Sequence, residues 1–315
     1  MRRRGLRDGT RARGRRPALP GAAPGRRGRG AVVTEHAWAP ASPCGLGCIP
    51  RERPATGVRA VRRTAAGAAL LAAGPFALRR GGGPAGETQR RAARALLRAL
   101  GVRLALSGEP AAVTGGALVV AHHTSWLDVV ALAAVVPADF VARADLVSWP
   151  VLGALARAVD VVPVDRARLR SLPHAVDRVR DRLAQGRTVV VFPEGTTWCG
   201  RAHGRLRPAF FQAAVEADVP VVPLRLHYRR DDGPTTLAAF VGEDSIGSSV
   251  LRIAGARELT AVVETRPALY PARTGAGGRR DLAAAAERAL LDARSPADVG
   301  GLAGPARTSE EVTAV

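Results

Sequence analysis

Beyond residue 100 the chain repeats one pattern: a short apolar run, a polar break, then a longer stretch whose apolar positions fall three and four apart. The apolar runs predict strands at 117–121 (ALVVA), 138–142 (ADFVA), 159–164 (VDVVPV), 188–192 (TVVVF), 219–228 (VPVVPLRLHY) and 258–264 (ELTAVVE). The helical period predicts helices at 126–136, 149–158, 171–185, 207–217 and 279–292. Strands that are apolar almost throughout need cover on both faces. The expected class is therefore α/β: a mixed, largely buried sheet flanked by helices on both faces, occupying residues 101–292. No internal repeat is visible, and 293–315 reads as a flexible tail.

Upstream the pattern changes. The stretch 62–80, RRTAAGAALLAAGPFALRR, has an uncharged core at 64–78, shorter than the ~20 apolar residues of a spanning helix. Pro75 is expected to break it. It is either a buried helix or a short interfacial anchor with Arg62, Arg63, Arg79 and Arg80 at the headgroups. Next comes ETQRRAARALLRAL, 87–100. Arg90, Arg91, Arg94 and Arg98 share one side of this helix, and Ala93, Leu96, Leu97 and Leu100 the other. Such a helix either covers the core with a solvated face or lies on a membrane surface. Two such elements in tandem favour membrane association of 64–100.

Composition alters the reading at the N-terminus. All 47 basic residues are arginine, and the formal net charge is +20. Residues 1–63 hold 16 arginines against Asp8, Glu35 and Glu52, and are rich in Pro and Gly without a sustained period. They are expected to be disordered; Val33 is an alternative start. Three cysteines, Cys44, Cys48 and Cys199, make no disulfide framework, and a C-x3-C pair with one distant cysteine is a poor zinc spacing. No metal is expected.

Candidate chemistry begins at VVAHHTSWLDVV, 119–130. In a continuous helix His123 and Asp128 would point about 140° apart. They meet only if His123 lies in the turn after the strand and Asp128 in the first helical turn. Ser125 is the expected N-cap, and SWLD has capping-box spacing. By itself the stretch is equally a helix cap beside two incidental imidazoles. PEGTTW, 193–198, places Glu194 and Gly195 beyond a buried strand's carboxyl end, where open α/β sheets bind ligands; an ordinary turn would look the same. VDVVPVDR leaves Asp165 and Arg166 at the end of another apolar run, where a surface ion pair is the plain alternative.

Four blocks, in order, resemble the glycerolipid acyltransferases, the family of the 1-acylglycerol-3-phosphate acyltransferases. HTSWLD is similar to their H-x4-D block, VVPVDR to the second, FPEGTTW to the third and VPVVPL to the fourth. The resemblance covers about residues 100–270. Arg143 stands where the family commonly has lysine, Asp145 where glutamate is usual, and His122 where asparagine is common. Spacing to Asp128 selects His123 over His122 as the base.

The resemblance implies transfer of a fatty acyl group from a thioester, acyl-CoA or acyl carrier protein, to the free hydroxyl of a lysophospholipid. The leading acceptor is 1-acyl-glycerol-3-phosphate, and no cofactor is implied. His123 would be the general base and Asp128 its orienting acid. Arg166, Glu194, Gly195 and Thr196 would face the acceptor, with Arg166 on the phosphate and Glu194 orienting Arg166 or an acceptor hydroxyl. Backbone N–H groups at the start of the 126–136 helix or in the Gly195 turn would hold the oxyanion. Lipid substrates imply an anionic membrane surface as partner and a peripheral or monotopic place on the cytoplasmic face. A different lyso-lipid, such as lyso-ornithine lipid, is the near alternative. An arginine-rich nucleic-acid-binding protein is a distant one, since the basic segment lacks interleaved aromatics and the folded part lacks a recognition helix. No specific nucleic-acid partner is expected, and an intact His123 and Asp128 disfavour a lipid-binding member without activity.

Overall fold

The computed structural model describes residues 40–51, 57–80, 85–108, 116–145, 161–165, 168–271 and 278–292. The expected helix at 149–158, Arg166 and the tail 293–315 lie outside the described residues. The strands are β1 Arg103–Ser107, β2 Leu118–Val120, β3 Asp139–Arg143, β4 Val162–Val164, β5 Val189–Val191, β6 Val221–Arg230, β7 Gly233–Pro234 and β8 Thr260–Thr265. The helices are α1 Val58–Arg80, α2 Ala85–Leu100, α3 Leu127–Ala133, α4 Leu172–Ala184, α5 Phe211–Glu216, α6 Ile246–Gly255 and α7 Arg279–Leu291.

One mixed sheet runs in the order β1-β8-β6-β2-β5-β3-β4, with β7 beside β6. Strands β6, β2, β5, β3 and β4 are mutually parallel, as are β1 and β8, whereas β6 meets β8 antiparallel. The long strand β6 makes this mixture possible. Its first residues, Val221–Pro223, pair with β2, and Leu224–Arg229 pair with β8. Pro223 has no N–H to donate, and the exchange of partners falls at that residue.

Side-chain alternation then separates two cores. Val119 of β2, Val190 of β5 and Val222 of β6 face α2, α3 and α6. Leu118, Val120, Val189, Val191 and Val221 face α4, α5 and α7. The same alternation sends His122 and His123, just beyond β2, to opposite sides. Because β2, β3, β4 and β5 are parallel, their carboxyl ends open on one edge, which carries His123, Glu194 and Asp165.

Several expectations are corrected. Strand β1 and helix α6 were not visible in the pattern. β1 is half exposed along its length, so it carries no apolar run. α6 opens with Gly-Ser-Ser, which hides its period, and it buries only Ser249, Ile253 and Ala254. The helix expected at 207–217 contracts to Phe211–Glu216, since 208–210 form a turn. Helix α1 does not stop at Pro75: the loss of one backbone bond leaves the helix on either side able to continue.

The N-terminal expectation also changes. Disorder of 1–63 fails for 40–51 and 58–63. Residues 58–63 are the first turns of α1, and Cys44 and Ile49 are buried against Cys199, Ala239 and Val241. The rest of 1–63, apart from Gly57, lies outside the described residues. Helix α2 is core rather than surface. Leu96, Leu97 and Leu100 are buried in the cluster under α3, each worth about 1.5–3 kcal/mol. Its arginines are engaged as well: Arg90 and Arg91 pair with Glu87, and Arg94 Nε donates to the Ala134 carbonyl at 3.0 Å. Arg63, expected at a headgroup, donates to the carbonyls of Ala254 and Ala256 at 3.2 and 2.9 Å, closing the C-terminal end of α6. No helix among the described residues is long and apolar enough to cross a membrane.

Candidate active site

The loop between β2 and α3 is held from every side. Asp128, wholly buried in the first turn of α3, accepts from Thr124 N–H at 2.6 Å and Ser125 N–H at 2.8 Å through Oδ2. The same oxygen faces His123 Nδ1 at 2.9 Å, and Oδ1 accepts from the Tyr228 hydroxyl at 2.6 Å. Ser125 Oγ accepts from Leu127 N–H at 3.2 Å. The capping-box expectation is therefore met in substance, although the regular helix begins at Leu127 and its flanking Trp126 supplies no side-chain cap. The cap bonds and the His123 contact therefore share one carboxylate oxygen.

His123 is fixed in its tautomer by this geometry. An ionised carboxylate only accepts, so the proton sits on Nδ1 and Nε2 is left as an acceptor. The ring stacks on Phe192, 4.1 Å between centroids, and its side chain is 16% exposed. Its backbone is pinned: His123 N–H donates to Glu194 Oε2 at 2.7 Å, and its carbonyl accepts from Trp198 N–H at 2.7 Å. The Thr124 carbonyl accepts from Phe240 N–H at 2.9 Å. An imidazole held this tightly is preorganised. Burial first, then the Asp128 charge, pushes the Tyr228 hydroxyl well above its ordinary pKa, so it stays a donor.

Glu194 is held by three neighbours. It is buried, and its Oε1 contacts His122 Nδ1 at 3.1 Å and accepts from Gly204 N–H at 2.7 Å, while Oε2 takes the His123 N–H. It ties the histidine turn to the 193–204 loop; its expected partner Arg166 lies outside the described residues. Gly195 makes the turn with φ of +76°, and a Cβ there would stand 2.7 Å from Pro40 Cγ, so glycine is required twice over. Thr196 is half-buried beside it, and Thr197 Oγ1 donates to the Phe240 carbonyl at 2.5 Å. The oxyanion expectation is narrowed too. Leu127 N–H bonds Ser125 Oγ, Asp128 N–H the Ser125 carbonyl and Gly195 N–H the Phe192 carbonyl, so all three donors are engaged.

His122 is buried, with Nε2 unpartnered among the described residues. Its ring lies 4.1 Å from that of His203. Solvent reaches part of His203, yet desolvation of the ring, and then the neighbouring His122, hold its pKa down to about 4. Both histidines line a cavity of about 190 Å³ with Arg201, Arg225, His227 and Tyr228. Sequence reasoning missed Tyr228 as the second support of Asp128. The available signal was its place in the apolar phase of β6, which points it into the same core as Leu224 and Leu226.

The Acyltransferase family profile matches residues 103–227. The chain is 31% identical over 171 residues to the 1-acyl-sn-glycerol-3-phosphate acyltransferase of Neisseria meningitidis, covering 54% of this chain and 67% of that one. It is 36% identical over 142 residues to the lyso-ornithine lipid O-acyltransferase of Pseudomonas aeruginosa, covering 42% of this chain and 52% of that one. The fold is that of the 1-acyl-sn-glycerophosphate acyltransferase crystal structure from Thermotoga maritima. The TM-score is 0.54 at 19% identity, over 75% of this chain and 98% of that one. With the His123–Asp128 dyad at the sheet's open edge, this chain belongs to the acyltransferase family that includes the 1-acylglycerol-3-phosphate and lyso-ornithine lipid O-acyltransferases.

Proposed function

We propose that the chain transfers a fatty acyl group from the thioester of acyl-CoA or acyl carrier protein to the free hydroxyl of 1-acyl-glycerol-3-phosphate, giving phosphatidic acid. The observation that carries this reading is the bare Nε2 of His123 on an imidazole locked by Asp128. An alcohol is a poor nucleophile at neutral pH. His123 takes its proton as the oxygen attacks the thioester carbonyl, and Asp128 stabilises the imidazolium that forms. The tetrahedral intermediate collapses with loss of the thiolate, which recovers the proton. The acceptor supplies the nucleophile, so no acyl-enzyme and no cofactor beyond the thioester is needed. Arg166 is assigned to the acceptor phosphate through its bidentate fork, and Thr196 to the same side of the site.

The lipid is met at a membrane surface, with the protein peripheral or monotopic on the cytoplasmic face. Support comes from α1, which exposes Val58, Val61 and Leu70 beside a run of exposed alanines. Three of the four α2 arginines, Arg90, Arg91 and Arg94, have other engagements, which moves the anchor toward α1. Lyso-ornithine lipid is kept as a second acceptor because of the 36% identical relative named for it.

The test is a thiol-release assay on the full chain, with each donor in turn and an acceptor panel of 1-acyl-glycerol-3-phosphate, lyso-ornithine lipid and other lysophospholipids. Preference for the phosphorylated acceptor, with a raised KM in Arg166→Lys, is expected. Preference for an acceptor without phosphate overturns the phosphate assignment. Flotation with anionic vesicles is expected, and failure to float overturns the membrane reading alone.

A further inference from the structure

The fold brings together three cysteines that the sequence leaves far apart. Cys48 ends the 3-10 turn Leu46–Cys48 and Cys44 lies two residues before it; the turn's closing bond runs from Cys48 N–H to the Gly45 carbonyl at 2.9 Å. Cys199 arrives from the loop after β5, 151 residues along the chain from Cys48. The three sulfurs lie within 4.8 Å of one another, and all three thiols are free. In a tetrahedral zinc–thiolate site with bonds of ~2.3 Å, the sulfurs stand about 3.8 Å apart, close to what is already present. The sequence spacing argued against a metal because it gives no sign that Cys199 folds back onto the C-x3-C pair.

The surroundings are those of a ligating sulfur rather than of a plain apolar filler. Gly200 follows Cys199 with φ of +87° and turns the chain back on itself. The backbone N–H groups of Arg201 and Ala202 and the thiols of Cys44 and Cys48 donate to the Cys199 sulfur. Hydrogen bonds onto sulfur are the outer support that metal thiolates use. Cys48 is only half-buried, which gives an ion an entry path.

We propose that Cys44, Cys48 and Cys199 bind one thiophilic divalent cation, zinc by its chemistry, through three thiolates, with solvent in the fourth position. Each thiol loses its proton as the ion enters. The ion fastens residues 40–51 onto the 193–204 loop. That loop carries Glu194 and, next to Cys199, the Trp198 whose N–H holds the His123 carbonyl. The metal is thus a positioning element behind the site and takes no part in the reaction.

The experiment uses the full chain purified without chelator. Elemental analysis is expected to find one zinc per chain, and thiol titration to find the cysteines protected until a chelator is added. Cobalt(II) added to the stripped protein should give the intense thiolate-to-cobalt absorption of a tetrahedral sulfur site, lost in Cys199→Ser and in the half-buried Cys48→Ser. Chelator should lower the Tm of the wild type and leave that of Cys48→Ser unchanged. Substoichiometric zinc with no cobalt charge-transfer band overturns the proposal. So does recovery of two of the three thiols as a disulfide from a metal-free native chain, which would make the cluster a redox pair. The wild-type measurements decide even if a variant fails to fold.

Discussion

His123 and Asp128 sit where the sheet meets the α2–α3–α6 core, and the imidazole is 16% exposed. His122 and Glu194 are the same pair of groups one residue away, on the other side of the strand, and that imidazole is 5% exposed. Both pairs place a carboxylate oxygen on Nδ1, at 2.9 and 3.1 Å. What separates them is the other nitrogen and the rest of the carboxylate. His123 Nε2 is left as a base on a partly exposed ring, whereas His122 Nε2 is buried. Asp128 collects its remaining donors within its own helix cap and from Tyr228, so its hold on His123 is local. Glu194 spreads its bonds over His122, His123 and Gly204, which join two loops. A histidine–carboxylate contact is therefore not a catalytic sign in itself; access and the connectivity of the acid decide.

The largest expected effects test that division. His123→Ala should lower kcat by at least ~100-fold, the lower end of what a general base contributes, with little change in lipid KM or Tm. His122→Ala should do the reverse, lowering Tm while costing far less turnover. If His122→Ala abolishes turnover at unchanged Tm, the two pairs have been assigned the wrong way round. Asp128→Asn should be comparably severe, because the amide can stabilise the wrong tautomer of His123. A fully active Asp128→Asn of normal stability leaves only the cap role.

Glu194→Gln keeps the shape but turns one acceptor oxygen into a donor facing a donor. A buried group left unsatisfied costs about 1–3 kcal/mol. Calorimetry should show that loss of stability, and kcat should fall as the His123 backbone loosens. An unchanged kcat with a lowered Tm would confine Glu194 to stability and break its link to the base.

How far this was legible beforehand depends on whether the signal was local. Strands β2 and β5 are apolar through their length, as is the first part of β6, Val221–Leu224, and burial on both faces leaves such runs no other reading. The dyad was legible because Ser125 and Asp128 set a helix start that forces His123 into the turn. β1 and α6 were not, because an edge strand and a helix burying few residues have weak periods. The true partners of Glu194 were invisible too. Gly204 is brought round by a loop whose path no spacing encodes. The same holds for Cys199 meeting Cys44 and Cys48.

A smaller effect is expected at Tyr228. Tyr228→Phe removes the donor on Asp128 Oδ1 while the Oδ2 contacts to His123, Thr124 and Ser125 persist. A hydrogen bond to a charged group is worth about 1.5–3 kcal/mol. Most of that should appear as lower Tm, since the bond is present before and after proton transfer, and kcat should fall only several-fold. A loss of turnover as deep as that of Asp128→Asn would make Tyr228 part of the orienting acid rather than its support.

The smallest effect concerns the pH dependence on the His122 side. His203, whose ring is tilted against that of His122, has its pKa held at about 4 in the folded chain against an ordinary 6.5. Between those values the unfolded chain binds a proton that the folded chain refuses, so the folded state loses ground. Stability from this group is constant above about pH 6.5, declines as pH falls toward 4, and levels off below, where both states are protonated. Denaturant melts across that window should show the decline, and His203→Gln should flatten it while leaving the kcat profile set by His123 in place. If the variant instead shifts the kcat profile, the two histidine pairs are electrostatically joined. If it leaves the stability curve unchanged, the ring is solvated like any surface histidine, and the buried character of this side rests on His122 and Glu194 alone.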